Sequence, residues 1–143
     1  MENFPNLEEL IIDDNQLNDS ETIFPKLAHL HTLMINKNRF EDIRQLVDQL
    51  RQAYPSLTYL SLLGNEACPY RIISTDPPLS NDVFTQHYLD EEYRRYRHLL
   101  IFRIPTLKFL DAREISSDER RIATQLGDIL YTIAETKKST LMI

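Results

Sequence analysis

Hydrophobic residues recur along this chain in one short, spaced pattern. Leucine or another aliphatic residue stands at the first, fourth and sixth positions of a unit, asparagine stands at the ninth, and an apolar residue stands at the eleventh. Three units follow this spacing, at residues 7–17, 30–40 and 57–67, and a degenerate fourth unit covers residues 107–115. The fourth and sixth positions alternate with period two, which predicts a short strand with one buried and one solvated face.

The distance between units indicates how these strands assemble. The first three units are 23 and 27 residues apart, within the range of about 20 to 29 residues typical of leucine-rich repeats. One repeat cannot bury its apolar face alone, so neighbouring repeats stack. We predict an α/β leucine-rich-repeat solenoid, a short right-handed horseshoe with parallel strands on its concave face and helices or irregular turns on its convex face.

The asparagine of each unit is predicted to have a structural role. In this repeat class Asn15, Asn38 and Asn65 would lie inside the bend of the coil. There an amide side chain can pair with backbone groups of neighbouring coils that would otherwise be buried without partners.

The segments between the units differ in length and pattern. Ile43, Leu46, Val47 and Leu50 recur at helical spacing, which predicts a helix on the outer side of that coil. Residues 18–23 are too few for more than one helical turn. An insertion at residues 68–103 interrupts the solenoid, with a loop rich in turn formers at residues 74–82 and a helix over residues 83–103.

The last part of the chain is predicted to be a second unit. Residues 1–115 form the repeat domain with its cap, and residues 116–143 form a C-terminal amphipathic helix and tail. The helix opens with a capping-box spacing at residues 116–119. We expect its apolar face to pack back on the solenoid, whose ends need a cover, and we expect the chain to fray after Glu135. The first coil, at residues 7–17, needs a cover as well.

Residues near the last repeat resemble a known cap. Two segments are similar to the cap of the spliceosomal A-prime proteins and the acidic leucine-rich nuclear phosphoproteins. They are Tyr93-Arg-Arg-Tyr96-Arg97 and Ile104-Pro105-Thr-Leu107-Lys-Phe-Leu110-Asp111. With Leu60-Ser-Leu-Leu-Gly-Asn65-Glu-Ala-Cys68-Pro69, the chain resembles more closely the leucine-rich melanocyte differentiation-associated family. The resemblance implies that Tyr96 and Arg97 pack under the last coil. It also implies a non-catalytic cytoplasmic adaptor, associated with pigment-cell differentiation and with small GTPases of organelle traffic.

The concave face provides the candidate binding residues. On each strand the residues between the buried leucines project outward on the same side. The candidate protein-binding residues at these positions are Glu9, Ile11, Asp13, Met34, Asn36, Tyr59, Ser61, Leu63, Phe109 and Asp111. The apolar members form a possible hot-spot strip with acidic residues on its flank. Alternatively, the cap helix or the loop at residues 74–82 covers Leu63 and Phe109 within the same molecule.

Composition limits the classes of partner. The 143 residues are 42% hydrophobic, and no apolar run approaches the ~20 residues that a membrane span needs. A net charge of −6 makes direct contact with nucleic acid unfavourable. A single cysteine, Cys68, cannot form an intramolecular disulfide and is expected to be a packed thiol. The N-terminus lacks the basic start and apolar stretch of a secretory signal. We therefore expect a cytoplasmic protein, with the nucleus as the alternative.

No pattern in the sequence favours catalysis, a metal or a cofactor. His29 and His31 have no other ligand type at zinc-site spacing. Two glycines, Gly64 and Gly127, are too few for a phosphate-binding motif. The tyrosines and arginines at residues 93–97 could suggest RNA, but the cap resemblance implies that they are structural.

The sequence is compatible with two functions. The first is a non-catalytic adaptor whose concave face binds a protein partner, for example a small GTPase or a trafficking complex. The alternative is a ribonucleoprotein component, similar to the A-prime proteins, whose concave face holds an RNA-binding protein.

Overall fold

The computed structural model describes residues 4–69 and 83–141. Its elements in chain order are β1 (Glu9–Ile11), β2 (Thr32–Met34), α1 (Ile43–Ala53), β3 (Tyr59–Ser61), α2 (Val83–Arg103), β4 (Phe109–Leu110), β5 (Arg113–Glu114) and α3 (Ser117–Leu141). The loop predicted at residues 74–82 lies outside the described residues. Each of the four units found in the sequence contains one of the strands β1 to β4.

The strands form one sheet in chain order, from β1 to β5. The first four are parallel, and the repeat spacing sets their register: Leu10, Leu33 and Leu60 are aligned across the sheet, and Leu60 is aligned with Leu110. Parallel neighbours require a crossover between strands, and the convex segments of the coils supply it. The molecule therefore has the predicted α/β leucine-rich-repeat architecture.

The hydrophobic core lies inside the coils. Leu33, Ile35, Leu60 and Leu62 are completely buried. The corresponding residues of the first coil, among them Leu10, are only half-buried, and within residues 4–69 and 83–141 no strand pairs with the outer side of β1.

Helix α1 covers the convex side of the second coil, where the sequence predicted a helix. It begins after Asp42, whose carboxylate accepts a hydrogen bond from the Gln45 N–H at 3.1 Å. This is an N-cap, which pairs one of the free donors of the first turn. Leu46 and Leu50 are completely buried on the inner face.

Helix α3 packs back against α2, as expected for a cover at this end of the solenoid. Its capping serine, Ser116, accepts a hydrogen bond from the Glu119 N–H at 3.1 Å. Ala123 is completely buried, and Gly127 lies directly against the Phe102 side chain of α2. The helix continues to Leu141, and fraying of the chain after Glu135 stays a prediction.

A hairpin that the repeat pattern did not predict ends the sheet. β5 pairs antiparallel with β4, with Leu110 opposite Arg113. The two turn residues, Asp111 and Ala112, have positive φ angles of 55° and 67°. Two consecutive positive φ angles match the twist of a tight hairpin, so the fourth unit turns back on itself here and does not continue into another coil.

Candidate functional site

The concave face carries an apolar strip across the first four strands. Ile11 and Phe109 are exposed, with 60% and 40% of their surface accessible, and Met34 and Tyr59 are half-buried. These side chains occupy the solvent-facing positions of strands whose alternate residues form the core. The sheet therefore holds the four side chains on one rigid surface.

Tyr59 and Phe109 form the aromatic part of this strip. They stand side by side in the register of β3 and β4, and their ring centroids are 5.9 Å apart at an interplanar angle of 31°. An aromatic pair across neighbouring strands holds both rings in place. A partially exposed and preordered aromatic surface is the kind of anchor that protein interfaces use.

The polar residues beside the strip tie the coils together. Asp13 Oδ1 accepts a hydrogen bond from the Asn36 N–H at 2.7 Å. Asn36 Oδ1 in turn accepts from the Leu63 N–H at 2.9 Å and from the Ser61 hydroxyl at 2.7 Å. Asp13, Asn36 and Leu63 are half-buried. They lie on the predicted face, but Asp13 and Asn36 already serve as acceptors for the next coil.

Ser61 does not belong to the accessible surface. The sequence placed it on the concave face, and its β3 position agrees with that. However, its exposed fraction is 1%. Ser61 is therefore a buried structural residue and not the binding residue that the sequence predicted.

Asp111 is also buried, with 3% of its surface exposed. Its carboxylate accepts hydrogen bonds from the Leu62 N–H at 2.8 Å and from the Tyr93 hydroxyl at 2.9 Å. The Cys68 thiol lies 3.7 Å away. Burial raises the pKa of Asp111 above its ordinary value, although these hydrogen bonds and the Arg97 charge oppose the shift. These hydrogen bonds connect the cap to the third coil. Because its carboxylate is buried, Asp111 cannot contact a partner.

Tyr96 and Arg97 lie under the last coil, as the family resemblance implied. Both are buried. The Arg97 guanidinium donates to the Leu110 carbonyl oxygen at 2.7 Å and to both carboxylate oxygens of Glu119, at 2.7 and 2.9 Å. Burial would raise the pKa of Glu119, but the hydrogen bonds and charge of Arg97 outweigh it and hold that pKa below its ordinary value. This ion pair connects α2, β4 and α3.

The three repeat asparagines do not have the same environment. Asn38 and Asn65 are buried and bond to a neighbouring coil: their amide groups donate to the carbonyl oxygens of Ile12 and Ile35, at 3.0 and 2.9 Å. Asn15 is exposed, and its amide donates to the Asp13 carbonyl oxygen of its own coil at 2.7 Å. The prediction that Asn15 lies inside the bend is therefore wrong, because its side chain is exposed and bonds within its own coil.

The interactions of Asp111 were not found from the sequence. A signal was present, because aspartate tolerates positive φ and Asp111 directly follows the β-prone pair Phe109-Leu110. The Cys68 thiol is buried, in agreement with the packed thiol that was expected.

Metal-binding clusters and membrane-spanning helices are not found among the described residues. Within residues 4–69 and 83–141, His, Cys, Asp and Glu side chains do not gather in a group of three or more that could hold a metal ion. In the same part of the chain, no helix combines the length and hydrophobicity that crossing a bilayer requires.

Two relatives are similar to most of this chain. The human leucine-rich melanocyte differentiation-associated protein is 42% identical over 137 residues, which cover 96% of this chain and 63% of that protein. The human U2 small nuclear ribonucleoprotein A′ is 31% identical over 109 residues, covering 72% of this chain and 40% of that protein. The chain thus spans less than two thirds of the length of either relative.

A solved structure and a family model also match the chain. A chain in the crystal structure of the Drosophila melanogaster SNF/U2A′ complex has a TM-score of 0.46 and 22% identity, covering 91% of this chain and 76% of that one. The sequence model of the leucine-rich-repeat family matches residues 4–129. Because that match includes all four units and the cap, the chain belongs to the leucine-rich-repeat family.

Proposed function

We propose that this protein is a non-catalytic interaction module that holds a protein partner on its concave face. The observation that carries the proposal is the apolar strip of Ile11, Met34, Tyr59 and Phe109 on the solvent side of the sheet. The register places Ile11 beside Met34 and Tyr59 beside Phe109, with the two pairs diagonal to each other on the same face of the sheet. Exposed apolar side chains that gather on one face are typical of binding surfaces.

The charges around the strip indicate the chemistry of the partner. Glu9 and Asp14 are exposed at the β1 end, and the chain as a whole carries a net charge of −6. Complementary charges raise association rates and select partners. The partner surface is therefore expected to present apolar anchors for the strip and basic residues opposite the β1 end.

The cellular role is inferred from similarity. The protein that is 42% identical carries melanocyte differentiation in its name, and by this similarity we infer a cytoplasmic adaptor in pigment-cell differentiation or organelle traffic. A small GTPase or a trafficking complex is the corresponding partner.

Similarity also supports a second candidate, a ribonucleoprotein component with an RNA-binding protein on the concave face. It rests on the 31% identity to the U2 ribonucleoprotein A′. Direct RNA contact through the cap receives no support, because Tyr93, Tyr96 and Arg97 are buried and cannot stack on bases. The two candidates share a surface and differ in compartment and partner class.

Paired charge substitutions on the strip test the proposal. Met34→Glu combined with Phe109→Glu places two carboxylates on the strip, and Gln52→Glu places one on the exposed surface of α1 as a control. Tagged proteins are expressed in pigment cells, and their partners are quantified by mass spectrometry. We expect the double variant to lose the partners that the control retains, with less than ~1 kcal/mol change in the free energy of unfolding of either protein.

The same experiment separates the candidates. Trafficking proteins lost with the double variant support the adaptor, and spliceosomal proteins support the ribonucleoprotein component. An unchanged set of partners in the double variant would show that the concave strip is not the binding surface. A large loss of stability would show instead that Met34 and Phe109 are core residues.

A further inference from the structure

One row of side chains crosses the concave face from β1 to β5. The register of the sheet aligns Glu9 with Thr32, Thr32 with Tyr59, Tyr59 with Phe109, and Phe109 with Glu114. Residues aligned across neighbouring strands project from the same face of a sheet. Glu114 therefore lies next to the aromatic part of the concave strip.

Phe109 and Glu114 are a closely spaced pair in the hairpin of β4 and β5. The Ile115 N–H donates to the Lys108 carbonyl oxygen at 2.8 Å, so those two residues are a hydrogen-bonded pair. Hydrogen-bonded and non-hydrogen-bonded pairs alternate along antiparallel strands, and side chains lie closer in the second kind. Phe109 and Glu114 form the second kind, so their β-carbons are roughly 5 Å apart.

The Glu114 carboxylate is exposed and has no cationic partner among the described residues. The basic residues closest to it in the sequence are Lys108 and Arg113. Arg113 is paired with the buried Leu110, and Lys108 with the buried Ile115. Because side chains alternate between the two faces of a strand, both basic side chains project from the face opposite to Glu114.

Other arginines lie near Glu114 on the cap side, where this residue also borders a cleft between α2 and α3. These arginines already form ion pairs, which are Arg94 with Glu91, Arg95 with Glu92 and Arg97 with Glu119. The row that crosses the concave face contains no lysine or arginine. A cation that approaches the aromatic pair from the concave side therefore meets the Glu114 carboxylate first.

The cap of the same molecule shows how an aromatic pair and a carboxylate hold a guanidinium. The guanidinium carbon of Arg97 lies 5.9 Å from the centre of the Tyr93 ring, and Tyr93 is stacked on Tyr96 with ring centroids 5.5 Å apart. Glu119 accepts hydrogen bonds from Arg97 at 2.7 and 2.9 Å. The concave face presents the same kinds of group, at an accessible position and without an arginine from the described part of the chain.

We propose that Tyr59, Phe109 and Glu114 bind an arginine side chain of the protein partner, an inference that rests on the proposed function of the concave face. The guanidinium lies on the exposed aromatic surface and forms an ion pair with Glu114. Arginine suits this site better than lysine because its planar guanidinium is weakly hydrated, stacks on aromatic rings and pairs with a carboxylate through two hydrogen bonds. The site adds a charged anchor to the apolar contacts of the strip.

A short synthetic peptide with one arginine between two leucines serves as the probe. It is titrated into the isotope-labelled chain, and NMR follows the ring signals of Tyr59 and Phe109 and the amide signal of Glu114. We expect these signals to shift together, with nuclear Overhauser contacts between the arginine side chain and both rings. The same peptide with citrulline keeps the planar shape but has no charge, and it should bind at least about fivefold more weakly. The lysine peptide should bind at least about threefold more weakly.

Substitutions at the site provide the matched comparison on the protein. Glu114→Gln removes the charge at similar size, and Phe109→Leu removes the ring but keeps an apolar side chain. Both positions are exposed, and each variant should bind the arginine peptide at least about fivefold more weakly. Glu66→Gln changes an exposed carboxylate of the third coil and should bind the peptide normally.

Several results would overturn the arginine site. Unchanged ring signals at about 10 mM arginine peptide, equal binding of the citrulline or lysine peptide, and normal binding by Glu114→Gln each contradict it. All of these results are compatible with loss of partners by the Met34→Glu and Phe109→Glu double variant. The arginine site can therefore fail while the proposed function stands, and the two failures are distinguished.

Discussion

At the residue scale, position in the repeat is not enough to define a side chain's role. Asn15, Asn38 and Asn65 occupy the same place in their units. Asn65 donates to Ile35 O and Leu62 O and accepts from the Phe40 N–H, all in the buried interior. The Asn15 amide donates to the Asp13 carbonyl oxygen of its own coil, and the residue is exposed. The contribution of a repeat asparagine to stability therefore depends on whether neighbouring backbone groups would otherwise be buried without partners.

We predict that Asn65→Ala lowers the free energy of unfolding by more than about 2 kcal/mol, because each buried group left unpaired costs roughly 1–3 kcal/mol. Asn15→Ala should cost less than about 1 kcal/mol, since water can replace its exposed hydrogen bonds. Urea denaturation of both variants measures the difference. Equal losses would show that the repeat asparagines act through the turn of their own coil.

At the scale of elements, the contact between α2 and α3 closes one end of the solenoid. Gly127 of α3 lies against Phe102 of α2 so closely that a β-carbon would overlap the aromatic side chain. Arg97 on α2 and Glu119 on α3 add a bidentate ion pair to this contact. The periodicity of residues 116–133 predicted a helix with an apolar face. It did not predict that Gly127 is the point where α3 comes closest to α2, because this depends on where Phe102 lies in the folded protein.

We predict that Gly127→Ala destabilises the protein, although alanine favours a helix over glycine by about 0.5–1 kcal/mol. The added methyl group must displace Phe102 or separate α3 from α2. Thermal unfolding measures the effect, and Gln125→Ala on the exposed side of α3 is the control, with little change expected. A higher melting temperature for Gly127→Ala would show that the two helices are not in close contact.

At the scale of the whole molecule, the two ends of the solenoid differ. The cap, with its hairpin, α2 and α3, covers the last coil, and Leu107 and Leu110 are completely buried there. The core residues of the first coil are half-buried. Stability in repeat proteins depends on contacts between neighbouring repeats, so a coil whose core residues are partly exposed is expected to be less stable than a coil with a completely buried core.

We predict that the first coil opens more often than the second. The Ile12 N–H and the Ile35 N–H both donate to a carbonyl oxygen of the next coil, at 2.9 and 3.0 Å. A difference in their exchange rates therefore reports opening of the coil and not the absence of a hydrogen bond. Native-state hydrogen exchange should show Ile12 exchanging at least about tenfold faster. Equal rates would mean that the solenoid opens as one unit.

The sequence by itself determined the features that depend on local spacing. The repeat predicted the strands and their alignment, and apolar periodicity predicted α1 and α3, because periods of two and 3.6 residues place side chains on defined faces. It also predicted an outward-facing apolar strip, since solvent positions follow directly from the buried ones. Partner binding by that strip stays a prediction.

Only the tertiary structure decided which of these residues are accessible. Asp111 accepts from the Leu62 N–H across 49 positions of sequence. Ser61 is buried and Asn15 is exposed, although each occupies a position that its repeat unit shares with the others. Burial and hydrogen bonding depend on groups that are distant in the chain. A periodic pattern specifies the direction in which a side chain projects. The residues that lie beside it in the folded protein determine which groups it contacts and whether water reaches it.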